Sequence, residues 1–360
     1  MKNIDNNPTV SIVMAVYNGE SFIDEAVQSM LSQSFQDFEL IIIDDGSTDG
    51  THEKLLNYSD HRIILERNPT NQRLIASLNR GLGLAKGKYI VRMDADDVSL
   101  HLRLQTLVDY LNQNPRCVLL GSAHENFGDG REPRTIRYQE NDKAIRYHML
   151  LNTYLQHPTV AIRASTLKQH NLQYDERFVH VEDHWMFYEL SRLGEVHIIN
   201  TPLLRYRIHA QNISVVYSED QLQTQNNIRQ RIAEDYGLQF KGKDSFIHYL
   251  SFMLVLKPQA HQTYTIQLPT TSRGFLELFD NLHVLVLSMK NCEVEKNITR
   301  GLLTILPLLT GLSRADFKGL LRHPLVAMSI KNPLGLFKLH MKNLLGISYQ
   351  YNKILDQQKS

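Results

Sequence analysis

Short apolar runs alternate with amphipathic stretches through the first third of the chain. Val10 to Val16 is rich in β-branched residues and ends at Asn18-Gly19, the pattern of a strand buried on both faces. After it, Phe22, Ile23, Ala26, Val27, Met30 and Leu31 recur at helical spacing. They predict a helix from about Glu20 to Gln33 with one apolar face. Phe38 to Ile43 and Arg62 to Leu65 read as further strands. Ile75, Leu78, Leu82 and Ala85 mark a second helix face with Gly87 as its stop, and Tyr89 to Met93 reads as a fourth strand. Strands and helices alternating over short links predict an α/β domain with a parallel sheet covered by helices on both faces. Ligands of such sheets bind beyond the carboxyl ends of the strands.

The order is less regular from Asn126 to Ser214. His157 to Ile162, Glu195 to Ile199 and Leu203 to Ile208 read as strands, and Asp183 to Leu193 as a helix. After Ser218 the pattern turns helical, near Gln221 to Tyr236, Phe246 to Val255, Phe275 to Met289 and Ile298 to Leu309. A division into residues 1–216 and a mainly helical extension, 217–360, follows.

With 360 residues, 42% hydrophobic and 21% charged, the chain has the composition of a globular protein, which excludes collagen-like, coiled-coil and wholly disordered classes. A formal net charge of +1 gives no electrostatic case for a nucleic-acid partner. Two cysteines far apart, Cys117 and Cys292, make neither a zinc cluster nor a disulfide framework, so a reducing cytoplasm is expected. The first residues lack the apolar stretch of a secretory signal. Charge is unevenly spread: over Ser313 to Ser360, eight Lys and Arg stand against Asp316 and Asp356, a net +6 interleaved with leucines. Such a segment either lies peripherally on the anionic inner face of the cytoplasmic membrane or packs its apolar face on the body of the protein.

Three strand ends carry polar residues: Tyr17 to Glu20, Asp44-Asp45-Gly46-Ser47, and Asp94-Ala95-Asp96-Asp97. Carboxylates two apart at a strand end can share one hard cation, which prefers oxygen ligands. A turn rich in Asp has the same appearance without a metal. At the Asp44-Asp45 end a carboxylate can accept a uracil imide N–H or a ribose hydroxyl, or the segment can simply start a helix.

In this order, Val10 to Glu20, Asp44 to Thr51, and Ser77 to Asp97 with its Gly-Lys-Tyr-Ile-Val-Arg-Met-Asp-Ala-Asp-Asp ending resemble family 2 glycosyltransferases. The likeness continues through His157 to Arg163, Val181-Glu-Asp-His-Trp185 and Arg205-Tyr-Arg-Ile-His209. It implies a GT-A-type, Rossmann-like fold and inverting transfer of a sugar from a nucleoside diphosphate sugar, UDP first among the candidates. The acceptor would be a hydroxyl of a surface polysaccharide or lipid-linked glycan, with Mn²⁺ or Mg²⁺ as cofactor. By position, the resemblance assigns Ala15, Tyr17, Glu20 and Asp45 to the nucleoside, and Asp94, Ala95 and Asp96 to the ribose-diphosphate and metal. It makes Asp183 the general base, with Glu182 as alternative or orienting neighbour. Arg73 stands where many relatives have Gly, and either reaches base or phosphate or caps the surface. Arg205, Arg207 and His209 form a cationic cluster able to close on the diphosphate, with His209 as a further metal ligand; solvated side chains on an edge strand would look the same. His157 reads as a packed or acceptor-side residue. Two other functions share this pattern: a nucleotidyltransferase, disfavoured because Ala15 to Glu20 contains no Lys or Arg, and a non-catalytic nucleotide-sugar-binding protein.

Overall fold

A computed structural model describes residues 7–128, 130–138, 142–210, 212, 218–242 and scattered positions between 244 and 298. The chain divides into two compact units, Met1–Arg229 and Gln230–Ser360, and the candidate site belongs to the first.

That unit opens with β1 (Val10–Val16), α1 (Ile23–Leu31), β2 (Phe38–Asp44), α2 (Thr51–Leu56), β3 (Ile63–Arg67), α3 (Arg73–Leu84) and β4 (Tyr89–Asp94). There follow β5 (Val98–Ser99), α4 (Arg103–Gln113), β6 (Cys117–Gly128), β7 (Arg131–Ile136), α5 (Asp142–Met149), β8 (Ala161–Arg163), α6 (Ala164–His170), α7 (Glu182–Leu193), β9 (Glu195–Arg207) and α8 (Ser218–Asp235), in which the division between the two units falls. Among the described residues one nine-stranded sheet runs in the order β3-β2-β1-β4-β8-β6-β9-β5, with β7 paired to β6. β3, β2, β1 and β4 are mutually parallel, and β9 is parallel to β6. β8 is inserted antiparallel between β4 and β6.

The two-residue period of β1 explains why both sheet faces are covered. Ile12 and Met14 join Ile23, Val27 and Leu104 in one apolar cluster, while Val13 and Ala15 join Ile75 and Leu78 in the other. A strand with apolar residues pointing to both faces can supply both cores.

Three expectations change. The run His157 to Ile162 is a 3-10 turn over His157–Thr159 followed by the short β8, because Pro158 has no N–H for a ladder. Glu195 to Ile199 and Leu203 to Ile208 are one strand, β9, in which register shifts beside Ala123 absorb Pro202. Gly87 does not stop α3, which ends at Leu84 with Ala85 as its cap. A Cβ at Gly87 would lie 2.4 Å from the Ser11 nitrogen, so glycine is required there for close approach to β1.

The expected helix from Gln221 is α8, and positions 277–282 are helical. The expected helix Ile298 to Leu309 beyond its first residue, most of Phe246 to Val255 and the basic segment Ser313 to Ser360 lie outside the described residues. Among the described residues no helix is long and apolar enough to cross a membrane.

Candidate active site

β2, β1 and β4 are neighbours in the sheet, so Asp45, Ala15 and Asp94 end side by side along one edge. A cavity of about 970 Å³ opens there. Its walls include Ala15, Tyr17, Asp45, Arg73, Asp94, Ala95, Asp96, Glu182 and His209. Glu20, Asp183 and Arg207 are not among its lining residues.

The Asp45 end is tightly built. Asp45 is buried, and its Oδ1 accepts from Asn68 Nδ2 at 2.7 Å and from the Gln72 backbone N–H at 2.9 Å. No bond engages Oδ2 among the described residues, which suits it to accept from a ligand N–H or hydroxyl. Gly46 has φ +71°, and a Cβ on it would meet the Thr70 backbone at 2.8 Å; only glycine lets these two loops approach. Arg73 starts α3 with φ +72°, a left-handed backbone that costs an L-residue roughly 1–2 kcal/mol. The resemblance expected glycine at this position, and a positive φ is the conformation glycine adopts most readily. Tyr17 is 46% exposed at the mouth. Glu20 instead ties two loops together: its carboxylate accepts from the Gly50 N–H at 3.1 Å and its carbonyl from Lys54.

Asp94, Asp96 and Asp97 bring carboxylate oxygens within 4.8 Å of one another. Arg92, buried inside β4, donates to Asp94, and His209 Nε2 lies 2.8 Å from Asp96 Oδ2. Asp97 is 1% exposed; its Oδ1 accepts from the Arg207 N–H, and its Oδ2 is buried without a hydrogen-bond partner. Burial and the neighbouring Asp94 raise the Asp96 carboxyl, and burial with Asp94 and Asp96 raises Asp97 well above the ordinary carboxylate range. Crowded carboxylates with an unpartnered buried oxygen and an adjacent imidazole form a donor set that fits a hard divalent cation. Arg207 holds this loop by its main chain and side chain alike. Its guanidinium donates to the Asp96 carbonyl, pairs with Glu25 and lies over the Phe22 and Phe127 rings. Arg205 pairs with Glu125.

At the start of α7, Glu182 is 5% exposed and has an unpartnered Oε2, although it lines the cavity. Burial, then the charge of Asp183, pushes its carboxyl up to about 8. Asp183 is raised to about 6, chiefly by burial. Its Oδ1 accepts from the His184 N–H at 2.7 Å and the Thr153 hydroxyl at 3.3 Å, so one oxygen is anchored and Oδ2 is not engaged among the described residues. His157 is packed, with Nε2 2.8 Å from the Tyr174 hydroxyl and its ring edge-on to Phe187. Burial, with Arg92 nearby, keeps it neutral by lowering it well below its ordinary value.

Sequence reasoning passed over Arg92 and gave Asp97 no role of its own. The first had a signal, a lone charge inside an otherwise apolar strand, and Asp97 stood in the same acidic string as its neighbours.

A mostly parallel sheet covered by helices, with its acids gathered at the carboxyl ends of the strands, is the GT-A-type architecture expected from the sequence. Residues 11–182 match glycosyl transferase family 2. An uncharacterized glycosyltransferase of Haemophilus influenzae is 33% identical over 63% of this chain and 73% of its own length. The Escherichia coli enzyme WfgD, named as a UDP-Glc:alpha-D-GlcNAc-diphosphoundecaprenol beta-1,3-glucosyltransferase, is 27% identical over 57% of this chain and 79% of its own. TarS of S. aureus, residues 1–349 in complex with UDP, shares the fold with a TM-score of 0.55 at 16% identity, covering 89% of this chain and 90% of that one. The chain belongs to glycosyl transferase family 2 and is a glycosyltransferase.

Proposed function

We propose that the protein moves a sugar from a UDP-sugar to an acceptor hydroxyl with inversion at the anomeric carbon. The observation that carries this reading is a single cavity joining the Asp45 end, the carboxylate cluster and Glu182, with Asp183 one residue beyond its wall. Asp45 accepts from the base and Arg73 faces the nucleotide. Asp94, Asp96 and His209 would hold Mn²⁺ or Mg²⁺, which when bound offsets the charge of the departing diphosphate. Asp183 takes the proton of the acceptor hydroxyl as that oxygen attacks the face opposite the leaving group. A carboxyl titrating near 6 is ionised at neutral pH, whereas Glu182, near 8, keeps its proton and can donate to an oxygen of the bound sugar. WfgD, with its UDP-glucose donor and lipid-linked acceptor, supports the donor and acceptor classes. Hydrolysis of a panel of UDP-, GDP- and dTDP-sugars with Mn²⁺ tests the reading: turnover confined to UDP-sugars is expected, and turnover confined to another nucleotide would overturn the assignment of the base.

The same reading brings the enzyme to a lipid-linked acceptor through the basic segment Ser313 to Ser360, on the cytoplasmic face of the membrane. Each Lys or Arg near an anionic surface contributes about 1 kcal/mol, less at higher salt. Deleting residues 313–360 should weaken co-sedimentation with phosphatidylserine vesicles. Equal pelleting of the shortened chain would make the segment a packing element.

A further inference from the structure

The link between α5 and the 3-10 turn at His157 is anchored beside the start of α7. Leu151 and Leu155 are buried, and Leu155 occupies space that a Cβ on Gly121 would enter, at 2.6 Å. Two donors fix the main chain. Arg229 of α8 donates to the Leu151 carbonyl, and His184, in the first turn of α7, donates from Nε2 to the Met149 carbonyl at 2.7 Å. A carbonyl only accepts, and burial lowers His184 to about 4, so the ring is neutral and its one N–H is spent on this bond. Thr153 lies within the link so held, and its hydroxyl donates to Asp183 Oδ1 at 3.3 Å.

That bond does not cap the helix. α7 begins behind Val181, which makes no side-chain cap bond, and the effect of the hydroxyl falls on the carboxylate instead. Oδ1 accepts from the His184 N–H at 2.7 Å as well as from Thr153. Two bonds from different segments of the chain fix the plane of the carboxylate. A hydrogen bond given to a carboxylate also favours its charged form, which matters for a group that burial raises to about 6.

We propose that Thr153 is a positioning residue for the base: its hydroxyl holds the Asp183 carboxylate in the orientation from which it takes the acceptor proton, and stabilises its negative charge. This rests on the transfer reading above, in which Asp183 is that base. The other groups whose charge bears on Asp183 are Arg92 of β4, which favours the carboxylate, the adjacent Glu182, raised to about 8, and the phenol of Tyr174, raised by burial. The substitutions below leave all three in place.

The test follows hydrolysis of UDP-glucose and UDP-N-acetylglucosamine with Mn²⁺ across pH, water standing in for the acceptor hydroxyl. It uses the full chain, Thr153→Val, Thr153→Ser, Asp183→Asn, and Thr153→Val combined with Asp183→Asn. Thr153→Val keeps the side-chain shape and removes the hydroxyl. It should bind UDP within about twofold of the unaltered chain, lose roughly tenfold in kcat, and move the acid limb of kcat/KM up by about half to one pH unit. Thr153→Ser should recover most of both. Combined with Asp183→Asn, Thr153→Val should cost no further turnover, whereas a merely structural role would cost as much in either background. An unchanged acid limb and kcat in Thr153→Val, a fall in UDP affinity as large as the fall in kcat, or a Thr153→Ser no better than Thr153→Val would overturn the inference. Near-normal turnover by Asp183→Asn would instead withdraw the base assignment, and absence of turnover by the unaltered chain would remove the transfer reading, either one taking this inference with it.

Discussion

Asp183→Asn is expected to bind UDP as the unaltered chain does and to lose roughly 10²-fold or more in turnover, the usual size of a general-base contribution. The amide keeps an oxygen for the His184 N–H and the Thr153 hydroxyl, so the start of α7 should stand unchanged; Asn and Asp serve equally at a helix start. pH adds a second readout. With Asp183 raised to about 6, the base is protonated as pH falls through that value. Below it, kcat/KM of the unaltered chain should drop about tenfold per pH unit, and this limb should vanish from the residual activity of the variant. Stability moves in the opposite sense. A carboxyl raised on folding contributes stability below its unfolded value, and that contribution is lost as pH rises through the folded one. Asp183→Asn should therefore melt no lower than the parent at pH 8. Near-normal transfer by the folded variant would remove Asp183 from the mechanism and make Glu182 the base, to be tested as Glu182→Gln.

The second large effect is expected at Asp96. Calorimetry should find UDP binding strengthened by Mn²⁺ in the parent and insensitive to Mn²⁺ or EDTA in Asp96→Ala, with turnover reduced by at least about 10²-fold. A Lewis acid at a developing charge is worth several kcal/mol. Truncation removes the carboxylate that His209 faces at 2.8 Å but leaves Asp97 bonded to the Arg207 N–H and Arg92 bonded to Asp94. The loop should keep its attachment to β9. Mn²⁺-dependent UDP binding that survives in Asp96→Ala would take Asp96 out of the cation site.

The parallel half of the sheet was legible because each of its strands reports its environment locally. β1 and β2 are buried at every position, and their apolar runs end where their residues reach the site. The places of Asp45, Asp94 and Asp96 at the cavity were legible for the same reason: each is the first polar residue, or nearly so, after a buried run. What the sequence could not convey is orientation. Glu20 and Arg207 have the right chemistry and chain position, but hydrogen bonds to Gly50, Glu25 and the Asp96 carbonyl turn them into struts. Such partners lie up to 182 positions away, and no local pattern encodes them. Adjacent Glu182 and Asp183 are alike on paper; they differ because one borders the cavity with an unpartnered oxygen while the other is anchored through Thr153. The turn at Pro158 and the bulged β9 were misread where proline interrupts a ladder and the neighbouring strand accommodates it.

The reversed placement of β8 bears on how the protein is made. β4 ends in Asp94 and carries the buried Arg92, and among the described residues its side away from β1 is paired with the short segment from Val160 to Arg163. At about 5–20 residues per second of synthesis, residues 95–160 take roughly 3 to 13 s to appear. During that interval β4 is an open edge, with unpaired peptide groups that can template pairing with another chain. The charged Arg92 in the middle of that edge, and Asp94 at its tip, are the features that oppose such pairing in the nascent protein, so the charges at and beside the candidate site also protect the chain while it is still incomplete.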